Sequence, residues 1–160
     1  MGDEIELKFL VKGTAWKSLA EGIVVRQGYL NSDKERTVRV RTMGDKAKLT
    51  IKGPTRGIER KEFEYDIPLS EAIYMLGELC EKPLIEKIRR EIRHKDGMIW
   101  EVDEFEGENK GLVVAEIELK YKEQPFDLPD WVGKGVSNDQ KYFNANLIKH
   151  PYSRWGNKKE

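Results

Sequence analysis

Charged and apolar residues alternate one by one along short segments of this chain, and this alternation limits the possible folds more than any other feature of the sequence. In EIELKF, Glu4, Glu6 and Lys8 are separated by Ile5 and Leu7. Successive side chains of an extended strand point to opposite faces, so this segment predicts a β-strand with one charged and one apolar face. The same period of two recurs in RTVRVRT, KLTIK, RKEFEYDI, EKIRREIRH, WEVDEF and AEIELK.

An eighth strand is predicted over residues 23–30, in IVVRQGYL. The pairs Gly44-Asp45, Gly53-Pro54 and Asp96-Gly97 are typical of hairpin turns, which join antiparallel neighbours. Eight short antiparallel strands favour a closed barrel. We therefore predict a mainly β (α+β) fold, an eight-stranded antiparallel β-barrel covered outside by a few helices.

Two helices are predicted beside the strands. Residues 69–82, LSEAIYMLGELCEK, have Ser70 as a plausible N-cap and apolar residues at helical spacing. A second, weaker helix is predicted from Ser137 or Asn138 to Lys149, and the proline-containing residues 125–133 before it are predicted to be a loop.

Composition limits the size, the compartment and the partners. The 160 residues suit one domain, predicted over residues 1–150, with a C-terminal tail over 151–160 whose basic end, NKKE, is expected to be frayed. Lys and Arg number 29, as do Asp and Glu, so no overall positive field favours nucleic acid or a membrane surface as a partner. The single Cys80 excludes an internal disulfide and a cysteine zinc site, and no apolar run resembles a signal peptide or a membrane span. These features predict a cytoplasmic protein.

The charged strand faces could point into solvent or line a central tunnel. A solvated face is the ordinary arrangement, but such a face usually mixes residue types, whereas here the strands are segregated by the sign of their charge. This segregation favours the tunnel. The basic residues are Arg39, Arg41, Lys48, Lys52, Lys87 and Arg89, and the carboxylate pairs are Glu4/Glu6, Glu62/Glu64, Glu101/Asp103 and Glu116/Glu118.

Carboxylates spaced two residues apart on a strand are suitable ligands for a hard divalent cation. Mg²⁺ and Mn²⁺ prefer oxygen ligands and are commonly held by one or two carboxylates together with phosphate oxygens. Arginine and lysine supply complementary phosphate contacts. The two sets together indicate a polyphosphate held between metal and cations.

The same segments resemble the CYTH superfamily, the triphosphate tunnel metalloenzymes. EIELK is similar to the family's E-x-E-x-K signature, and further matching segments follow in the family's order over about residues 3–148. These segments are RQGYL, VRVR, LTIK, KEFEY, EKIR, WEVDEF and AEIEL.

The resemblance implies a barrel whose lumen binds a triphosphate with Mg²⁺ or Mn²⁺, and it implies roles for particular residues. The implied metal ligands are Glu4, Glu6, Glu116, Glu118 and Asp103. The implied substrate-binding residues are Lys8, Arg39, Arg41, Lys52, Lys87, Arg89 and Lys141. Glu62 or Glu64 is expected to orient the attacking water, with Lys87 as another possible contributor. Five of the cations could instead pair with a tunnel carboxylate and have only a structural role, namely Arg39, Arg41, Lys52, Lys87 and Arg89.

The substrate is harder to predict, because all branches of the family bind the same triphosphate. The short chain has no obvious extra segment for an adenine or thiamine ring and is most similar to the small bacterial tripolyphosphatases. We therefore expect metal-dependent hydrolysis of inorganic tripolyphosphate to pyrophosphate and phosphate. The alternatives are an organic triphosphate enzyme, such as a class IV-type adenylyl cyclase, an NTPase or a thiamine triphosphatase, and a non-catalytic polyphosphate-binding module. A homodimer is possible.

Overall fold

Eight antiparallel strands close into a barrel in the computed structural model, which describes residues 2–156. The predicted frayed end, residues 157–160, lies outside the described residues. The strands are β1 Gly2–Val11, β2 Ile23–Asn31, β3 Thr37–Met43, β4 Lys46–Lys52, β5 Glu59–Asp66, β6 Ile85–Arg93, β7 Ile99–Phe105 and β8 Val113–Leu119. Their order around the barrel is β1, β5, β4, β3, β2, β6, β7, β8 and back to β1. The predicted eight-stranded barrel is confirmed.

A ninth strand, β9 (Val132–Gly135), pairs with the end of β1. β1 can serve both partners because β5 pairs with its beginning, over Gly2–Ile5, and leaves the rest of that edge available. The predicted loop over 125–133 is therefore wrong at its last two residues. VGKG is four residues long and contains two glycines, so it carries little strand signal.

The turn predictions hold in two of three places. Gly44, at φ 63°, lies in a two-residue turn between β3 and β4, and Gly97, at φ 86°, lies between β6 and β7. These left-handed conformations favour glycine. Gly53-Pro54, by contrast, begins a six-residue connection, residues 53–58, which is longer than a tight hairpin turn.

The outer faces of the strands are covered by loops as well as by helices. Trp16, in the segment between β1 and β2, and Trp131, before β9, lie over the apolar face that includes Trp100. Trp100 is fully buried and packs edge-to-face against Phe9 at a centroid distance of 5.5 Å and against Trp131 at 5.9 Å. Such ring pairs add to the stabilisation from apolar burial.

A short helix covers β3 and β4. Helix α1 (Leu69–Tyr74) continues as one turn of π-helix over Met75–Leu79 and buries Ala72, Leu76 and Cys80 against the barrel. Its N-cap residue is Pro68, so the prediction of Ser70 is wrong. Proline suits this boundary because it has no backbone N–H to donate and its ring disfavours a helical conformation in the preceding residue.

The second predicted helix is only partly formed. A 3₁₀ turn over Gln140–Tyr142 and one α-helical turn, α2 (Asn144–Leu147), are separated by Phe143, whose extended backbone has φ −70° and ψ 132°. Among residues 2–156, no helix is both long enough and apolar enough to cross a membrane.

One end of the barrel interior is apolar. Ile85, Phe105 and Val114 lie on the same strand faces as the charged residues, by the period of two, and join a buried cluster with Tyr29. The segment from Val136 to Trp155 completes this cluster through Val136, Tyr142, Leu147, Ile148 and Trp155. Trp155 is 7% exposed, while the predicted domain boundary at residue 150 stays a prediction.

Candidate functional site

The barrel encloses a cavity of about 350 Å³ whose wall is built mainly from charged side chains. Twelve of the fourteen predicted site residues line it, and the two that do not are Asp103 and Lys141. The cationic residues of the wall are Lys8, Lys34, Arg39, Arg41, Lys52, Arg60, Lys87 and Arg89. The acidic residues of the wall are Glu4, Glu6, Glu35, Glu62, Glu64, Glu101, Glu116 and Glu118.

Ion pairs join the charged side chains of the cavity wall within and between strands. On β1, Lys8 pairs with Glu116 of β8 and, at 3.4 Å, with Glu6. Burial lowers the pKa of Lys8, but Glu116 and Glu6 outweigh burial, so the net shift is upward. Lys52 of β4 pairs with Glu4 at 2.9 Å. The same charged side chains thus pair with one another across the wall and face the cavity, where a ligand could contact them.

The carboxylates of the wall crowd one another. Burial, followed by repulsion from Glu116, raises the pKa of Glu6 to about 8. Burial, followed by repulsion from Glu4, raises the pKa values of Glu62 and Glu118 as well. A carboxylate whose pKa is raised in this way favours a neighbouring cation, because a cation stabilises the charged form.

These carboxylates have the right chemistry for a divalent metal but are not arranged as a ready-made cage. Among residues 2–156, no group of three or more His, Cys, Asp or Glu side chains is placed so that it could already hold a metal ion. Lys52 lies 2.9 Å from Glu4 and 3.6 Å from Glu62, so it occupies the place of a cation between them. Oxygen donors of this type fit Mg²⁺ or Mn²⁺.

The basic hairpin of β3 and β4 brings cations close to one another. Burial, together with repulsion from Arg39 and Arg89, lowers the pKa of Arg41 to about 10. Glu64 lies 3.8 Å from Arg39 and 3.9 Å from Arg41, and it accepts a hydrogen bond from Thr50. Cations that repel one another in this way favour an anion between them.

The Asp103 carboxylate contacts cationic side chains of the barrel wall. Its carboxylate accepts two hydrogen bonds from the Arg89 guanidinium at 2.8 Å each and lies 2.8 Å from the Lys87 ammonium. With 2% of its surface exposed, it lies in the barrel wall and does not line the cavity. Its oxygens contact two buried cations, and the metal-ligand role of Asp103 stays a prediction.

Lys141 also lies away from the cavity. Its ammonium is 4.7 Å from the ring centroid of Trp155 and 5.4 Å from that of Tyr142. These cation–π contacts fix it on the aromatic cluster of the C-terminal segment. Lys141 is not among the residues that line the cavity, although its neighbour Gln140 is, and its role in substrate binding stays a prediction.

Several residues of the cavity wall were not predicted. Arg60 precedes Glu62 by two residues on β5 and opposes Glu4 on β1, so the strand alternation could have identified it. Ser137 and Asn144 come from the C-terminal segment, where the sequence has no such periodicity. The Ser137 hydroxyl accepts a hydrogen bond from the backbone N–H of Lys8 at 2.9 Å.

Comparisons with known proteins agree with this geometry. Residues 2–152 match the CYTH domain. An inorganic triphosphatase of Acetivibrio thermocellus is 54% identical over 155 residues, which are 97% of this chain and 99% of that protein. An inorganic triphosphatase of Nitrosomonas europaea is 33% identical over 147 residues, covering 90% of this chain and 95% of that protein.

A solved structure shows the same fold. The crystal structure of an inorganic triphosphatase superposes on this chain with a TM-score of 0.65 at 30% identity, covering 91% of this chain and 93% of the other. The domain match spans nearly the whole chain, and both sequence relatives align over nine tenths of it or more. This protein belongs to the CYTH domain family.

Proposed function

We propose that this protein is a triphosphatase that hydrolyses inorganic tripolyphosphate to pyrophosphate and phosphate in the barrel cavity, with Mg²⁺ or Mn²⁺. The observation that carries the proposal is the cavity itself, in which eight cationic and eight acidic residues face a space of about 350 Å³. The similarity to two inorganic triphosphatases, one at 54% identity, supports this substrate.

The charge balance of the wall supports a requirement for metal. Eight cationic and eight acidic residues leave the wall with a formal charge of zero, so the side chains alone do not neutralise a polyanion. Dependence on divalent metals is general in the CYTH family. Glu4, Glu6, Glu116 and Glu118 would hold the ion. When bound, it would supply positive charge to the phosphoryl oxygens.

The remaining side chains position the triphosphate. Phosphoryl transfer depends mostly on positioning and on stabilising the charge that develops on the phosphoryl oxygens. Arg39 and Arg41 on β3 would bind phosphate oxygens through their planar guanidinium groups. The other phosphate-binding residues would be Lys8, Lys52, Lys87, Arg89 and the newly identified Arg60.

Glu62 and Glu64 would orient the attacking water. Both line the cavity from β5, the strand that pairs with the beginning of β1. The Thr50 hydroxyl donates a hydrogen bond to Glu64 Oε2 at 3.0 Å, and Glu64 Oε1 lies 3.9 Å from Lys48 Nζ, so both oxygens of this carboxylate are held. A carboxylate held in this way can orient a water for in-line attack.

Phosphate release from tripolyphosphate, ATP and thiamine triphosphate tests the proposal, each with Mg²⁺, Mn²⁺ or EDTA. We expect fast, metal-dependent release from tripolyphosphate, and its loss in a Glu4→Gln/Glu6→Gln variant. The matched control is Glu78→Gln on the exposed surface of the π-helical turn, which should keep wild-type activity. Faster turnover of ATP or thiamine triphosphate, or formation of cyclic AMP, would contradict the proposed substrate. Binding without turnover would contradict catalysis.

A further inference from the structure

The Lys87 ammonium is held between the barrel wall and the C-terminal segment. Its Nζ lies 2.8 Å from Asp103 Oδ2 and donates a hydrogen bond to Asn144 Oδ1, also at 2.8 Å. Lys87 and Asn144 line the cavity, whereas Asp103 does not. Asn144 therefore draws the ammonium towards the cavity, against the attraction of Asp103 behind it.

The Lys87 ammonium has one more N–H donor than it has protein acceptors among the described residues. A lysine ammonium has three N–H donors. One faces Asp103 and one faces Asn144, and among residues 2–156 there is no third acceptor for Lys87 Nζ. The ring of Phe105 lies on another side, with its centroid 5.4 Å from Nζ. The third donor is thus available to a phosphate oxygen in the cavity.

Gln27 holds the Asn144 amide in the orientation that Lys87 requires. Gln27 is fully buried on β2, and its Nε2 donates to the same Asn144 Oδ1 at 3.1 Å. Both neighbours of this atom are donors, so the oxygen of the carboxamide must point towards them. Asn144 also begins α2, whose Leu147 is fully buried in the apolar cluster. The acceptor is therefore held by its side chain and by its backbone.

We propose that Asn144 is a positioning residue, which keeps the Lys87 ammonium at the cavity surface where it contacts a phosphate group of the substrate. This inference rests on the proposed function, because it assigns the third donor of Lys87 to that phosphate. Without the Asn144 oxygen, Asp103 alone would orient the ammonium, since the attraction between buried opposite charges is strong, and the third donor would no longer be held towards the cavity. The substrate would then lose one charged contact.

A double-mutant cycle separates this role from a merely structural one. Loss of a hydrogen bond to a charged group typically lowers affinity about 10- to 100-fold, and we expect Asn144→Ala to lower kcat/KM for tripolyphosphate by this amount. If Asn144 acts through Lys87, the same substitution should have almost no effect in a Lys87→Met background. The affinity for tripolyphosphate, measured by calorimetry without metal, should follow the same pattern and needs no turnover.

A further variant keeps the result interpretable. Asn138→Ala changes an exposed residue of the same segment and should match the wild type. Melting temperatures of all variants show whether a loss reflects unfolding.

Each outcome has a defined meaning. An equal loss in both backgrounds, or no loss in Asn144→Ala, would overturn the positioning role. A wild type that binds tripolyphosphate without hydrolysing it would overturn the proposed function, while the cycle on affinity would still test Asn144. A wild type that neither binds nor hydrolyses tripolyphosphate would overturn both proposals.

Discussion

The substitution Asp103→Asn tests how strongly the buried ion pairs between β6 and β7 stabilise the fold. Burial alone would raise the pKa of Asp103, but Lys87 and Arg89 outweigh burial and lower the pKa from 3.8 to about 2. At about 1.36 kcal/mol per pKa unit, this fall corresponds to about 2 kcal/mol of stabilisation at neutral pH. Removing one partner of a buried ion pair often costs about 3–5 kcal/mol, since the other charge is left buried. We therefore expect a loss of about 2–5 kcal/mol in the free energy of unfolding.

The pH dependence has a definite sign. The pKa of Asp103 is lower in the folded protein than its ordinary value of 3.8, so its stabilising contribution is complete above about pH 4. That contribution is lost as the pH falls towards the folded value of about 2. The difference in stability between wild type and Asp103→Asn should therefore be largest at neutral pH and should shrink below pH 4.

Urea unfolding followed by tryptophan fluorescence measures this difference, because Trp16 and Trp100 are at most 1% exposed in the folded protein. The control is Asp66→Asn, whose side chain is 85% exposed and pairs with Lys48 on the surface. We expect this control to unfold at the wild-type midpoint. The reasoning would be refuted if Asp103→Asn also unfolded at that midpoint, or if its deficit did not shrink as the pH fell.

Three other substitutions test separate parts of the structure. Gly28→Ala should lower the free energy of unfolding by about 1–3 kcal/mol, because a Cβ there would lie 2.7 Å from Leu84 Cδ2 and 2.8 Å from Cys80 Cβ; an unchanged urea midpoint would contradict this. Arg41→Gln should weaken tripolyphosphate binding in calorimetry about 10- to 100-fold, because a charge-assisted contact is lost, and wild-type affinity would place the anion elsewhere. Lys141→Ala should leave kcat/KM for tripolyphosphate unchanged, because the Lys141 ammonium lies over the Trp155 ring and does not line the cavity. A clear loss of kcat/KM would support the substrate-binding role predicted from the sequence.

The direction of the charged side chains could be predicted because strand alternation allows just two answers. A shift of one residue would turn every charge of β1 outward, so Glu4, Glu6 and Lys8 must all point to the same side of the sheet. The same holds for Arg39 and Arg41 on β3. This is why one family resemblance and one period of two were enough to identify most of the charged residues of the cavity wall.

Alternation alone could not say which charges bind and which only support the wall. Glu101 and Asp103 form the same pattern in the sequence, yet Glu101 lines the cavity and Asp103 does not. The difference arises from register, because β6 and β7 pair Arg89 directly with Asp103 and so give Asp103 its buried partner. Register between strands depends on the whole barrel and cannot be read from either strand by itself.

The contribution of the C-terminal segment to the cavity was harder still to predict from the sequence, because its contacts follow no period. Asn144 reaches Lys87 across 57 residues of sequence, and Ser137 reaches Lys8 across 129. Both residues enter the cavity because the apolar cluster around Tyr142 and Leu147 fixes the segment against the end of the barrel. The charged strand faces are suited to any triphosphate. Discrimination between substrates must therefore depend on residues outside these faces. Non-periodic residues at the end of the cavity, such as Ser137 and Asn144, are therefore where a difference in substrate between proteins with the same charged wall should be sought.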